Sequence, residues 1–312
     1  LENYIKYCVF NEFDPSRVKL PKNVSETELH KNEAQFSILD SNLTIDRQNN
    51  VDEFRLKFFT SFAQNVINFY EFKGLNIKGI ISLGDEILDD EYTRLCFARK
   101  RNSPHICIPD PHAFNAVKIC ENIPQIDLPF ESKINKACFV GSDTGLKFED
   151  ESTQRSRFCH LYKNNEKIYA KITNFVQGDF DSEISGPYCP VSEQLKYKYI
   201  LNINGNTTSW ERLLWAMNSN SHCIFIKQPL HQNDLSWYYH IFDIEKCFIE
   251  TDEYGIENLL GCADELNFQF NAVKENQKKI GKMLVNPAFH ANYFASLILN
   301  YNHAYNESLK LG

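Results

Sequence analysis

Two short segments carry the residue types that can hold an anion. The first spans residues 198–212. Tyr199-Ile200-Leu201-Asn202-Ile203 is an apolar run of strand type, Asn204-Gly205-Asn206-Thr207-Thr208-Ser209 is a turn, and a helix is expected over 209–218. Ser209 is a favoured N-cap residue, and a helix N-terminus offers N–H groups and a positive dipole end to an anion. Gly205 would let a ligand approach the backbone, Thr207 adds a hydroxyl, and Arg212, one turn in, would reach a phosphate. An ordinary capped βα turn has the same local pattern and is the commoner explanation of it. The second segment is Phe139-Val140-Gly141-Ser142-Asp143-Thr144-Gly145, a strand end and loop with hydroxyls at Ser142 and Thr144, followed by Arg155 and Arg157. It is neither a Walker A loop, because no Gly-Lys-Ser/Thr follows, nor a GxGxxG turn.

Carboxylates come next. Asp85 follows the apolar run Ile77-Lys78-Gly79-Ile80-Ile81-Ser82-Leu83 and Gly84. A carboxylate beyond the carboxyl end of a strand can serve as a general base, and a turn aspartate after glycine fits the same residues. Glu86, Asp89, Asp90 and Asp110 compete for that role. Asp179-Phe180-Asp181 has the spacing of a pair that binds a divalent ion on a nucleotide diphosphate, but its neighbours read as a solvated loop. His112, His222 and His231 have no partner at metal spacing. The ten cysteines form no CxxC and sit mostly in apolar contexts, so reduced, buried thiols are expected.

These groups need a scaffold. With 312 residues, two domains are expected at about 150 residues each. Apolar residues at 43% and aromatics at 13% allow a large core, and excess acid, a net charge of −8, argues against a broad nucleic-acid surface. No apolar run of membrane-spanning length is seen, nor a basic then apolar opening of signal-peptide type. Helices are expected over 51–72, 91–100, 114–121, 155–164, 193–197, 209–218, 235–242 and most of 254–312. Strands are expected over 77–83, 105–109, 137–140, 167–175, 198–203, 223–226 and 247–249. Alternation of the two indicates an α/β fold, and the polar stretch 122–136 reads as a linker between two β/α halves.

The stretch 193–251, from Glu193-Gln194-Leu195-Lys196-Tyr197 through Asn204-Gly205-Asn206-Thr207-Thr208-Ser209 and Trp237-Tyr238-Tyr239 to Phe248-Ile249-Glu250-Thr251, resembles glycosyltransferase family 90, the capsule-associated-protein type. That family includes protein O-glucosyltransferases and bacterial lipopolysaccharide glycosyltransferases. Residues 138–145 look like the family's F-R-G-S-x-T-G loop, with Val140 in place of its arginine. Residues 81–85 look like the segment bearing its catalytic aspartate. The resemblance implies a GT-B-like architecture, two Rossmann-like domains facing across a cleft: an acceptor-side domain over 1–130, a nucleotide-sugar domain over 131–285, and a C-terminal helix over 286–312 returning to the first. It implies an inverting transfer from a nucleotide-diphosphate sugar, with a UDP-sugar expected, to a hydroxyl of a glycan acceptor such as lipopolysaccharide or another surface glycan. Asp85 would be the base. Ser142, Thr144, Gly145, Arg157, Gly205, Thr207, Ser209, Arg212 and Lys227 would hold the donor. No metal or other cofactor is expected, and neither is nucleic acid or a transmembrane segment. The expected location is cytoplasmic, with peripheral contact at the inner face of a membrane allowed. The alternatives are a non-catalytic glycan- or nucleotide-binding protein on the same fold, and a metal-dependent GT-A transferase using Asp179 and Asp181.

Overall fold

The computed structural model describes residues 17–20, 29–47, 51–85, 91–209, 211–229, 234–239 and 248–311. The chain divides into two units, one of Leu1–Pro111, Asn233–Ile241 and Asn286–Gly312, the other of His112–Gln232 and Phe242–Val285.

In the first unit, β1 (Glu33–Leu39), β2 (Asn42–Arg47), β3 (Asn76–Ser82), β4 (Arg94–Cys96) and β6 (Ile106–Cys107) form a mixed sheet in the order β2-β1-β3-β4-β6. The β1–β2 hairpin has no counterpart among the expected elements. Its turn residues Asp40 and Ser41 take left-handed φ values of 47° and 68°, the conformation a two-residue hairpin requires. An Asp-Ser pair is a weaker signal for that turn than Asn-Gly. The helix expected over 51–72 is α1 (Glu53–Tyr70), capped by Asp52, whose carboxylate accepts from the Arg55 amide at 3.0 Å. Phe59 and Phe62 of α1 pack on Phe294 of the last helix, Pro287–Leu311. Gly79 of β3 is what admits Tyr301 of that helix, since a Cβ there would stand 2.5 Å from the Tyr301 hydroxyl.

Two expected helices of this unit are strands. Residues 91–100 hold β4 and β5 (Ala98–Lys100). Arg94 through Ala98 are all buried, which marks a run enclosed on both faces, not one stripe of a helix. Arg94 meets the carboxylate of Glu33 in a buried ion pair. Residues 234–239 hold β11 (Asp234–Ser236), antiparallel to β5, and a turn that places Trp237 on Asp110 (Nε1 to Oδ2, 3.2 Å). The rest of the helix expected over 235–242 lies outside the described residues.

The second unit is an α/β layer structure. Its sheet is wholly parallel and contains β7 (Ile134–Ser142), β8 (Ile168–Asn174), β9 (Tyr197–Asn202), β10 (His222–Ile226) and β12 (Ile249–Thr251), in the order β12-β10-β9-β7-β8. The expected linker over 122–136 is partly structure. Helix α2 (Pro111–Ile126) runs through Pro124, and β7 begins at Ile134. Helices α3 (Gln154–Leu161), α4 (Val191–Gln194) and α5 (Glu211–Asn218) follow β7, β8 and β9, and α6 (Ile256–Gly261) and α7 (Asn267–Leu284) close the unit. One face of the sheet, with Phe139, Leu201, Ile203, Ile224 and Ile226, packs on Phe158 and Tyr162 from α3 and its cap, Ile256 of α6 and Phe270 of α7. Lys274 of α7 donates to the carbonyls of Ala216 (3.2 Å) and Met217 (3.3 Å), fixing the end of α5; burial lowers its ammonium to about 7. α8 (Pro287–Leu311) belongs to the first unit. No helix among the described residues is long and apolar enough to cross a membrane.

Counted along the chain, the parallel strands run 2-1-3-4-5. Connections leave β7 on one side towards β8 and β9 on the other towards β10, so the strand order reverses between β7 and β9. Ligands of open parallel sheets bind beyond the carboxyl ends of the two strands that flank such a reversal.

At the opposite end of the sheet, His222 is buried against Phe130, Tyr199 and Phe270, at ring distances of 4.7, 6.0 and 5.0 Å. Burial, reinforced by Lys274, Lys278 and Lys198, lowers its pKa to about 3. A base depressed in the folded state contributes stability in full above its unfolded value, about 6.5, and that contribution is lost as pH falls towards 3. Denaturant titrations of His222→Phe should show a smaller loss of stability between pH 7 and pH 4 than the native chain; equal losses would place the acid sensitivity elsewhere.

Candidate functional site

The loop after β7 and the turn after β9 lie side by side, joined by one residue. Thr153 caps α3, its hydroxyl accepting from the Ser156 amide at 3.2 Å, and this sets Gln154 and Arg155 in the first turn. From there the Arg155 guanidinium donates to the loop at Ser142 O (3.2 Å) and Thr144 Oγ1 (2.8 Å). It also donates to the turn at Ile203 O (2.9 Å) and Asn204 O (2.9 Å). Arg212, second residue of α5, donates to Gln194 Oε1 at 2.8 Å and to the carbonyl of Val140. Both guanidinium carbons lie near the Phe139 ring, 5.7 Å from its centroid for Arg155 and 5.1 Å for Arg212.

Neither arginine has a carboxylate within ion-pair distance among the described residues; their partners are carbonyls, a hydroxyl and an amide. Burial, and then the charge of Arg212, lowers Arg155 to about 9; burial lowers Arg212 as well. Two like charges held near one ring, each in the first turn of a helix whose dipole opposes a cation, leave positive potential that a bound anion would neutralise.

The glycines serve this arrangement. A Cβ on Gly141 would stand 3.1 Å from Arg212 Nη2, and one on Gly205 would stand 3.2 Å from Arg155 Nη2 and 3.3 Å from Thr144 Oγ1. What approaches the backbone at Gly205 is therefore Arg155 of the same chain. Gly145 packs on Thr153, and its amide donates to Gln177 Oε1 at 2.6 Å. In the turn, the Gly205 amide bonds Thr207 O and the Ser209 amide bonds Asn204 Oδ1, at 3.1 and 3.0 Å. Among the described residues nothing accepts from the amides of Asn206, Thr207 and Thr208. Helix α5 starts at Glu211, two residues after Ser209, and residue 210 lies outside the described set.

Other expected residues sit elsewhere. Arg157 is exposed, 4.1 Å from the Phe148 ring centre and 3.5 Å from Asp150. Lys227 is exposed and paired with Glu250 at 3.1 Å; only its backbone joins the site, its carbonyl accepting from Gln154 Nε2 at 3.3 Å. Asp85 belongs to the first unit, beyond β3, with Oδ1 2.5 Å from Arg55 Nη2. Glu86, Asp89, Asp90 and His231 lie outside the described residues. Asp110 is fully buried.

Asp179 and Asp181 border a cavity of about 460 Å³ between the loop after β8 and the start of α3, also lined by Asp143, Asp150 and Glu151. Asp181 is 2.8 Å from His160 Nε2 and accepts from the Glu183 amide at 2.9 Å. The acidic lining disfavours a diphosphate there. No group of three or more His, Cys, Asp or Glu among the described residues is arranged to hold a metal ion. Burial pushes the thiols of Cys138, Cys159 and Cys223 up to about 12, which removes them as nucleophiles.

Three residues of structural weight had little local signal. Asp143 is buried and accepts from the amides of Val176 (2.6 Å), Gln177 (3.2 Å) and Gly178 (2.7 Å), tying the loop after β8 to the loop after β7. Gln154 and Gln228 are buried, and their Nε2 atoms donate to Lys227 O (3.3 Å) and Asn204 O (3.5 Å). A usable signal did exist for Arg155 and Arg212: a cation in the first turn of a helix runs against the dipole. No protein-family model matches this chain, and no curated protein matches it at a significant level.

Asp143→Asn puts an NH2 donor among backbone donors. It should cost about 1–3 kcal/mol in denaturant unfolding and raise amide exchange at 176–178. Unchanged exchange there would mean that Gln177 alone holds the loop.

Proposed function

We propose that the chain is an inverting glycosyltransferase of a GT-B-like, family 90 type, moving a sugar from a nucleotide-diphosphate sugar to a hydroxyl of a glycan acceptor. The observation that carries this reading is the pair Arg155 and Arg212, without carboxylate partners among the described residues, at the strand-order reversal of a parallel sheet. A diphosphate matches that charge. It also gains charge as the bond to the sugar breaks, so groups that bind it stabilise the transition state. Ser142, Thr144 and the amides of 206–208 complete the donor site, and the arginines supply the positive charge that a metal supplies elsewhere. The departing group is a UDP. The acceptor is lipopolysaccharide or another surface glycan, met on the cytoplasmic side of a membrane.

Asp85 is the base in this reading. It takes the acceptor hydroxyl proton as that oxygen attacks the anomeric carbon, while the electrons of the old glycosidic bond leave with the diphosphate. Arg55 orients its carboxylate. Asp85→Asn should keep UDP binding and lower turnover by about 10²-fold or more. A native rate in that variant would move the base to another carboxylate. If no turnover is found with any acceptor while UDP binds, the chain is a nucleotide-binding protein without catalysis.

UDP at about 100-fold its dissociation constant should stabilise the native chain by roughly 2.7 kcal/mol. Arg155→Met should weaken UDP by about 1.5–3 kcal/mol, the range for a charged hydrogen bond, while Arg157→Met leaves it unchanged. Calorimetry that finds equal UDP affinity in the native chain and Arg155→Met would remove Arg155 from the anion site.

A further inference from the structure

Beside Arg155 lie two buried acceptors that nothing among the described residues fills. Gln154 and Gln228 are each 4% exposed, and the Oε1 atom of each has no hydrogen-bond partner among the described residues. Their orientation is fixed by their other ends. Gln154 Nε2 is committed to Lys227 O and Gln228 Nε2 to Asn204 O, the same carbonyl that accepts Arg155 Nε. Gln154 also precedes Arg155 directly, and Lys227 precedes Gln228. The two side chains are thus linked to the anion site by short backbone steps and one shared carbonyl, beyond the ends of β9 and β10.

A buried carbonyl oxygen left without a donor is costly, and such a group in a site is filled when the ligand arrives. Both atoms are acceptors, and turning either amide would set its oxygen against a carbonyl, Lys227 O for Gln154 and Asn204 O for Gln228. The complementary group is uncharged and donates hydrogen bonds. A phosphate does not meet that requirement, whereas a sugar ring does, since each hydroxyl has a hydrogen to give.

We infer that Gln154 and Gln228 are specificity-determining residues that accept hydrogen bonds from hydroxyls of a sugar ring attached to the diphosphate held by Arg155 and Arg212. This rests on the donor site proposed above and deepens it. The ring is either the ribose of the nucleotide or the transferred hexose. A ligand whose sugar hydroxyls are absent keeps the charge contacts and loses these two.

The test is a ligand series measured by calorimetry on the full chain: inorganic pyrophosphate, UDP, 2′,3′-dideoxy-UDP and UDP-glucose. The expected result is that a hydroxyl-bearing ligand binds about tenfold or more tightly than pyrophosphate, the value of one or two well-made hydrogen bonds. Loss of that gain in 2′,3′-dideoxy-UDP assigns the ribose, and a further gain from UDP to UDP-glucose assigns the hexose. Gln154→Leu and Gln228→Leu should each reduce the gain and leave pyrophosphate affinity within about twofold. The inference is overturned if dideoxy-UDP binds as tightly as UDP and glucose adds nothing, or if the gain survives both substitutions, as it would if the two oxygens only hold water. Should a leucine variant not fold, the ligand series on the native chain decides alone. Pyrophosphate that fails to bind at all overturns the anion site itself and this inference with it, a result distinct from normal pyrophosphate binding without a hydroxyl gain.

Discussion

Arg155 is the cross-brace of the second unit. Its guanidinium ties the loop after β7 to the turn after β9 through Ser142, Thr144, Ile203 and Asn204. Those two loops stand where the strand order reverses. A charged donor shared among neutral acceptors gives strength to each bond, about 1.5–3 kcal/mol for hydrogen bonds to a charged group, yet leaves the charge itself unneutralised. The site follows from that imbalance. A Cβ on Gly141 or Gly205 would crowd a guanidinium at 3.1 or 3.2 Å, so glycine there lets both arginines lie close to the backbone, and Thr153 caps α3 so that Arg155 starts where it can span the gap.

The surrounding structure sorts charge by sign. Around the arginines the partners are carbonyls, a hydroxyl and amides. On the other side of the β7 loop, Asp143 buries its carboxylate under three amides of the loop after β8, and Asp150, Glu151, Asp179 and Asp181 line the neighbouring cavity. Asp143 is the hinge between these regions: it contributes to the field at Arg155, but only as the last and weakest cause of its shift. In the proposed site an anion would be drawn to the strand ends and away from the acidic cavity.

Much of this was legible in the residues. The loops at 139–145 and 204–209 and the strands leading to them stand where periodicity and turn chemistry put them, because short apolar runs bounded by Gly, Asn and Ser have few other readings. Residues 91–100 look helical because charges at Glu91, Arg94, Arg99 and Lys100 flank the apolar Leu95, Phe97 and Ala98, but burial of all of 94–98 and the Glu33–Arg94 pair go with two short strands instead. Trp237-Tyr238-Tyr239 looks like a helix face until β11 pairs with β5, a partner more than a hundred residues away. Of the site residues, Ser142, Thr144 and Arg212 are brought together, while Arg157 and Lys227 turn to Asp150 and Glu250. No local rule separates Arg155 from Arg157 except position: Arg155 falls in the first helical turn, and Arg157 lies two residues on, pointing to solvent. The roles of Gln154, Gln228 and Asp143 depend on carbonyls and amides distant in sequence and could not be read from their neighbours.

In the proposed reading Arg155 and Arg212, which have no carboxylate within ion-pair distance among the described residues, hold an anion at the ends of β7 and β9. A crystal structure of the chain grown with UDP and no divalent cation would show whether they do. Diphosphate density is expected within hydrogen-bonding distance of both Arg155 and Arg212. Density instead in the cavity lined by Asp179 and Asp181, or an empty pair of arginines at saturating UDP, would contradict it.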